Sequence, residues 1–152
     1  MIRARWPLLA GVAIGTLVAD QLTKAAVQRF LLDERPVVLG PFLSFTLAHN
    51  PGGAFGLLPQ ATVVLAAASA LIALALLLYA RFALAHSRLL TVGVAMLLGG
   101  ALGNLTDRVR LGHVIDFIDL HRWPVFNIAD IAVTVGAGLI VLAAALPRKK
   151  ED

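Results

Sequence analysis

The chain has 152 residues, of which 59% are hydrophobic and only 14% are charged, whereas soluble domains are about 45–50% apolar and about 25% charged. This composition excludes an ordinary soluble protein and predicts a single polytopic membrane domain covering residues 1–152. The absence of cysteine excludes disulfides and thiol nucleophiles. The net charge of +4 does not indicate a nucleic-acid partner, because the basic residues flank apolar segments and form no stripe with aromatic residues.

Four apolar windows predict four transmembrane helices, at about residues 7–28, 61–80, 89–107 and 125–146. Each window is near the roughly 20 residues that cross about 30 Å of hydrocarbon. The first window begins like a signal peptide, but its apolar run meets Asp20 and continues in a helical pattern, so we expect an uncleaved span. The predicted fold class is an all-α membrane protein.

The basic residues orient the four spans. Lys and Arg are slightly more numerous in the two termini and the short second loop, and most of the acids fall on the opposite side. Because short loops rich in Lys and Arg stay in the cytoplasm, we expect both termini to be cytoplasmic.

The first outer loop, about residues 29–60, is long and apolar. Residues 36–40 and 42–50 predict two short strands around a Gly40-Pro41 turn, which would form a small extracytoplasmic β element. The loop is compatible with two roles. It could cradle an extended peptide or a lipid chain at the interface, or it could simply pack on the helix bundle.

Polar residues within the first and third spans are candidates for a site. Asp20 and Lys24 are four residues apart and share a helix face, so they form either a structural ion pair or part of the site lining. Asn104 shares a face of the third span with Asp107 and Arg108, which are suited to tie down the following loop. Gly99 and Gly103 in the same span form a G-x-x-x-G pair, which allows close helix packing.

Two further acids, Asp116 and Asp130, are the candidate catalytic pair. Asp116 lies in the loop after the third span, and Asp130 lies near the start of the fourth. A carboxylate within a span is energetically costly, so its presence indicates a function. Asn127 points the same way as Asp130, although it could serve only as a helix N-cap. Asp119 is not excluded by its spacing. Two close carboxylates share one proton, so one can act as a base and the other as an acid in amide hydrolysis.

Two other chemistries are weaker. A transporter could use Asp20, Lys24 and Asp130 as a proton or cation relay, but no inverted repeat or broken helix is visible. A metal-dependent hydrolase could bind zinc through the two candidate aspartates together with His113 and His121, but the spacing is irregular. We therefore expect no metal and no other cofactor.

Five motifs occur in order along nearly the whole chain: VADQLTK, HNPGGAF, GGALGNLTDR, HVIDFID and FNIAD. With these motifs the chain resembles the bacterial lipoprotein signal peptidases, also called signal peptidase II or prolipoprotein signal peptidase. The resemblance implies a multi-pass aspartyl protease of the inner membrane, a hydrolase with its active site toward the outer face. It would cleave diacylglyceryl-modified prolipoproteins just before the lipidated cysteine, in contact with membrane lipid, and would bind the inhibitor globomycin.

Carried over residue by residue, the resemblance makes Asp116 and Asp130 the catalytic dyad. It also implies a surrounding set of substrate-binding or site-shaping positions: Asp20, Asn50, Gly52, Gly100, Asn104, Arg108 and Asn127. The chain departs from the family pattern locally at Pro51 and Gly53, where a small polar residue and an alanine are common.

Overall fold

The structure is a computed structural model that describes residues 2–31, 35–52 and 62–146. In these ranges the chain forms four helices, α1 (Ile2–Phe30), α2 (Thr62–His86), α3 (Arg88–Leu111) and α4 (Ile128–Ala145). All four are long and apolar enough to cross a membrane, which confirms the predicted fold class. The glycine-rich residues 53–59, with the departure from the family pattern at Gly53, and the basic C-terminal tail lie outside the described residues.

Helix α3 lies at the centre of the bundle, with α1, α2 and α4 packed around it. Glycines on α3 make two of these contacts possible. A Cβ at Gly99 would lie 2.5 Å from the carbonyl oxygen of Ala13 on α1, and one at Gly93 would lie 2.9 Å from that of Gly136 on α4. The expected close packing through small residues is therefore present, and it brings the polar residues of α3 against both neighbouring helices.

A three-stranded antiparallel sheet covers one end of the bundle, with the strands in the order β1 (Val37–Gly40), β2 (Leu43–Asn50) and β3 (Val114–Asp119). The first two strands and their turn match the prediction. We predicted a loop at the third strand. The alternating pattern of a strand was not recognised there, because Asp116 occupies an inward-facing position where a strand normally has an apolar residue. In the register of β2 and β3, Ala48 is opposite Asp116.

The segment between β3 and α4 is fastened to the sheet. Phe126 pairs with Ile118 through backbone hydrogen bonds, which brings the start of α4 beside β3. His121 joins the segment to the turn between β1 and β2, because its Nδ1 donates to the carbonyl of Pro41 (3.1 Å) and its Nε2 lies 3.0 Å from Ser44 Oγ. These contacts fix the end of β3 relative to the N-terminus of α4.

Candidate active site

A cavity of about 260 Å³ opens where the last two turns of α3, the first turns of α4 and strand β3 meet. Its polar lining is contributed mainly by six side chains: Asn50, Asn104, Arg108, Asp116, Asp130 and Thr134. Its apolar walls are formed mainly by Val114, Trp123, Pro124, Val125, Phe126 and Val133. The structure therefore brings both candidate carboxylates to a single cavity with apolar walls.

Asp116 is held by two asparagine side chains. Its Oδ2 accepts from Asn50 Nδ2 at 2.8 Å and its Oδ1 accepts from Asn127 Nδ2 at 2.6 Å. The backbone N–H of Gly52 donates to Asn50 Oδ1, which leaves the amino group of Asn50 facing the carboxylate. Burial raises the pKa of Asp116 to about 6 and the negative charge of Asp130 adds to this rise, while the two amide hydrogen bonds oppose it.

Asp130 is held at the N-terminus of α4 by a reciprocal capping pair. Asn127 Oδ1 accepts from the backbone N–H of Asp130 at 3.0 Å, and Asp130 Oδ2 accepts from the backbone N–H of Asn127 at 3.2 Å. The other oxygen, Oδ1, accepts from Asn104 Nδ2 at 2.9 Å. Both oxygens of Asp130 therefore face N–H donors.

Asn127 connects the two carboxylates. Its side-chain amino group contacts Asp116, and its backbone N–H contacts Asp130. The sequence left open whether Asn127 is a site residue or only an N-cap. In the structure Asn127 caps α4 and also donates to Asp116. Because one fully buried residue contacts both acids, their relative placement depends on the start of α4.

Asp20 does not lie among the described residues that line the cavity. It is fully buried, its Oδ2 lies 2.8 Å from Lys24 Nζ, and its Oδ1 accepts from the backbone N–H of Ala129 at 2.9 Å. Asp20 and Lys24 therefore form an ion pair, and Asp20 also contacts the backbone of the first turn of α4. Asp107 accepts from the backbone N–H of Ile115 at 3.2 Å, so it ties down the segment that carries Asp116, as its position in the sequence indicated.

Three other predicted positions surround the carboxylates in different ways. Arg108 lines the cavity, and its positive charge interacts with Asp130, Asp116 and Asp107. Gly52 is buried and orients Asn50. At Gly100 a Cβ would lie 2.5 Å from the carbonyl oxygen of Ala129, so the absence of a side chain allows α3 to approach the first turn of α4.

Other titratable groups near the sheet have different partners. Asp119 accepts from the backbone N–H of His121 at 2.6 Å, and the described residues that line the cavity do not include it. His113 packs edge-on against His49, with ring centroids 4.6 Å apart. Burial lowers the pKa of His113, and its neighbour His49 adds to this effect. Within the described ranges, no group of three His, Cys, Asp or Glu side chains is placed to hold a metal ion.

The apolar wall of the cavity was not predicted from the sequence. Trp123, Pro124 and Val125 form much of it, and they lie directly before the FNIAD motif. The signal was an aromatic and proline-containing run between the two candidate acids, in a connection where polar residues are more usual.

The fold and the cavity define a multi-span membrane protein with two carboxylates at one site. A family described as signal peptidase (SPase) II matches residues 12–146. The lipoprotein signal peptidase of Moorella thermoacetica is 42% identical over 137 residues, which are 90% of this chain and 91% of that protein. That of Burkholderia mallei is 41% identical over 138 residues, 86% of this chain and 83% of the relative.

Two solved structures, both described as bacterial membrane enzymes, have the same fold. One has a TM-score of 0.81 at 28% identity, covering 97% of this chain and 95% of its own. The other has a TM-score of 0.79 at 30% identity, covering 92% of this chain and 94% of its own. The chain therefore belongs to the signal peptidase II family. It is a membrane peptidase of the kind that removes signal peptides from prolipoproteins.

Proposed function

We propose that this protein is an aspartyl endopeptidase in which Asp116 and Asp130 form the catalytic dyad, and that it cleaves diacylglyceryl-modified prolipoproteins before the lipidated cysteine. The observation that carries the proposal is that both carboxylates line one cavity and are joined through Asn127. The family supplies the reaction, hydrolysis of a peptide bond. The two carboxylates supply an acid and a base.

Asp130 is the general base in this proposal. It lies in the first turn of α4, and its two oxygens accept from Asn104 and from the backbone of Asn127. It is assigned the role of base because Asp116 is the carboxyl group of the pair whose pKa is raised. Ionised Asp130 removes a proton from a water molecule as the water oxygen attacks the scissile carbonyl carbon.

Asp116 is the general acid. It is buried, and its pKa is raised to about 6, so it retains a proton more readily than an ordinary aspartate. As the water attacks, Asp116 donates its proton to the carbonyl oxygen, which gives a neutral tetrahedral diol. The carbon–nitrogen bond then breaks, and the proton held by Asp130 passes to the leaving amine. One hydroxyl proton of the diol returns to Asp116 as the new carboxyl group forms. Both carboxyl groups end in their starting forms.

The substrate is proposed to approach along the membrane. Apolar side chains are exposed on the sheet and beside the cavity: Val38 is 68% exposed, Phe42 is 67% and Trp123 is 61%. Exposed apolar surface next to four spans fits contact with lipid and with the acyl chains of a membrane-anchored precursor. The same cavity, with its apolar walls and two carboxylates, is where we expect globomycin to bind.

The substrate class is tested with purified protein and two forms of one precursor. We expect the diacylglyceryl-modified prolipoprotein to be cut immediately before the modified cysteine, as read by mass spectrometry, with globomycin preventing the cut. The matched control is the same precursor without the lipid, which should be cut far more slowly. Equal cleavage of both forms would reject the proposed preference.

The dyad also predicts how activity depends on pH. The folded pKa of Asp116 is raised, so the group is protonated below about pH 6 and loses its proton above it. Because the mechanism needs that proton, kcat/KM should fall as the pH rises through this value, approaching about tenfold per pH unit. The amide of Asn50 opposes the rise in pKa, so Asn50→Ala should move this limb to higher pH. A flat profile, or a shift to lower pH in Asn50→Ala, would contradict the assignment.

Both termini are proposed to be cytoplasmic, which places the sheet and the cavity on the outer side. The chain contains no cysteine, so single cysteines can report the orientation. A membrane-impermeant thiol reagent added to intact cells stripped of their outer membrane should label Leu120→Cys and not Arg88→Cys, since these exposed positions lie at opposite ends of the bundle. The reverse labelling would invert the topology.

A further inference from the structure

Lys24 is a buried cation at the centre of the polar network behind the cavity. Only 2% of its surface is exposed. Its ammonium lies 2.8 Å from Asp20 Oδ2, 2.8 Å from Asp107 Oδ2 and 3.0 Å from Asn104 Oδ1. An ammonium group has three donors and no acceptor, so these three contacts account for all of its hydrogen-bonding capacity.

The contact with Asn104 determines which end of that amide faces Asp130. Asn104 Oδ1 accepts from Lys24 and also from Asn127 Nδ2 at 3.1 Å. The amino group of Asn104 is therefore left to donate to Asp130 Oδ1, which it does at 2.9 Å. A flipped amide would place its amino group against two donors and its oxygen against a carboxylate. The ammonium and the Asn127 amide together keep the amino group of Asn104 facing Asp130.

The two acids bound to Lys24 reach the backbone immediately before each candidate catalytic residue. Asp20 accepts from the N–H of Ala129, the residue before Asp130. Asp107 accepts from the N–H of Ile115, the residue before Asp116. Lys24 therefore supplies the countercharge that keeps two carboxylates buried at the points where they hold the strand and the helix of the site.

We propose that Lys24 is a positioning residue for peptide-bond hydrolysis, acting through Asn104 to keep Asp130 facing an amide N–H and ready to accept a proton. The inference rests on the proposed dyad. Lys24 does not lie among the described residues that line the cavity. Its action is therefore indirect. Loss of the ammonium removes the shorter of the two hydrogen bonds that hold Asn104 Oδ1, so the amide shifts and the donor that faces Asp130 is misplaced.

The rival explanation is that Lys24 only stabilises the bundle as the partner of Asp20 and Asp107. In that case, Lys24→Gln would lower the thermal stability, but the folded fraction would keep the wild-type kcat. Positioning predicts a different outcome, in which kcat falls about 100-fold in the folded protein, the size expected for a misplacement of about 1 Å at a reacting group. KM should change by less than about threefold, since the cavity surface that meets the substrate is retained.

The test is steady-state cleavage of a lipidated precursor by Lys24→Gln, Asn104→Ala and the double variant. If Lys24 acts through Asn104, the double variant should be no slower than the slower single variant, because the two residues form one chain of contacts. The control is Thr23→Ala, which should behave as wild type. Within the described part of the chain, the Thr23 hydroxyl donates to the carbonyls of Ala19 and Asp20 in its own helix.

A second variant keeps the test decisive if Lys24→Gln does not fold. Lys24→Gln with Asp107→Asn removes one charge of each sign, so the net charge of the cluster is unchanged and residue 107 retains an oxygen for the Ile115 N–H. It should show the same loss of kcat. Wild-type kcat in either Lys24 variant, or effects of Lys24→Gln and Asn104→Ala that multiply in the double variant, would overturn the proposal. If Asp116→Asn and Asp130→Asn also remained active, the dyad itself would be wrong.

Discussion

Replacing Asp116 with asparagine should slow signal-peptide cleavage by about 10³- to 10⁴-fold, as expected for loss of a positioned acid. An amide of the same shape fits the buried position on β3, but it cannot carry the transferable proton that the carboxyl group supplies. The variant should remain folded, because one oxygen is retained to accept from Asn127 or Asn50. The measurement is the single-turnover rate on a lipidated precursor, together with the unfolding temperature.

The matched control is Asp119→Asn, the same change three residues along the same strand. Asp119 accepts only from the His121 backbone among the contacts observed for it, and asparagine retains an oxygen for that bond. Its cleavage rate should stay within about threefold of wild type, the size of effect typical of substitutions away from special features. If Asp119→Asn were inactive and Asp116→Asn remained active, the general acid would be Asp119 and not Asp116.

Gly100→Ala should abolish most activity by moving the helix that carries Asp130. The added Cβ would lie 2.5 Å from the carbonyl oxygen of Ala129 and 3.0 Å from Val133 Cγ2. The contact with Ala129 is with the backbone, so no side-chain rotation can relieve it and α4 must shift. We expect a cost of about 1–3 kcal/mol in the free energy of unfolding from overpacking. The rate should fall by about 100-fold or more, because Asp130 follows directly after the displaced residue.

Gly138→Ala is the control for this effect, since it makes the same change on α4 at a position where a Cβ would meet nothing within 4 Å. Alanine should stabilise the helix there by up to about 1 kcal/mol and leave cleavage unchanged. Rates and unfolding free energies of both variants can be measured in the same detergent. Wild-type cleavage by Gly100→Ala would show that the spacing of α3 and α4 does not position the dyad.

The helices and the first two strands follow from local patterns, which is why the sequence was sufficient to predict them. Apolar windows of spanning length have few alternatives in a chain with 14% charged residues. Helix α4 begins at Ile128, later than its apolar window, because Asn127 caps it and the residues before it pair with β3. Strand β3 was not predicted because Asp116 occupies its inward-facing position. A buried carboxylate there is explained by its place in the cavity and not by the local strand pattern.

The site itself was only partly readable from sequence. Spacing on one helix shows that Asn127 and Asp130 share a face, but no spacing rule brings Asp116 to them from another element. The resemblance to the family named the acids and their neighbours without indicating how they are connected. Two features depend on the three-dimensional fold: the contact of Lys24 with Asn104 and the apolar wall at Trp123. Both arise from packing between elements distant in the sequence.

The dyad is tested most directly by one set of cleavage rates on a diacylglyceryl-modified prolipoprotein, measured with a chelator present for wild type, Asp116→Asn, Asp130→Asn and the double variant. Residues that act as a unit show strongly non-additive losses. We therefore predict full wild-type activity with the chelator, and nearly the same low residual rate in both single variants and in the double variant. Retained activity in either single variant, or losses that multiply in the double variant, would contradict a shared dyad. Loss of wild-type activity with the chelator would return the metal-dependent mechanism to consideration.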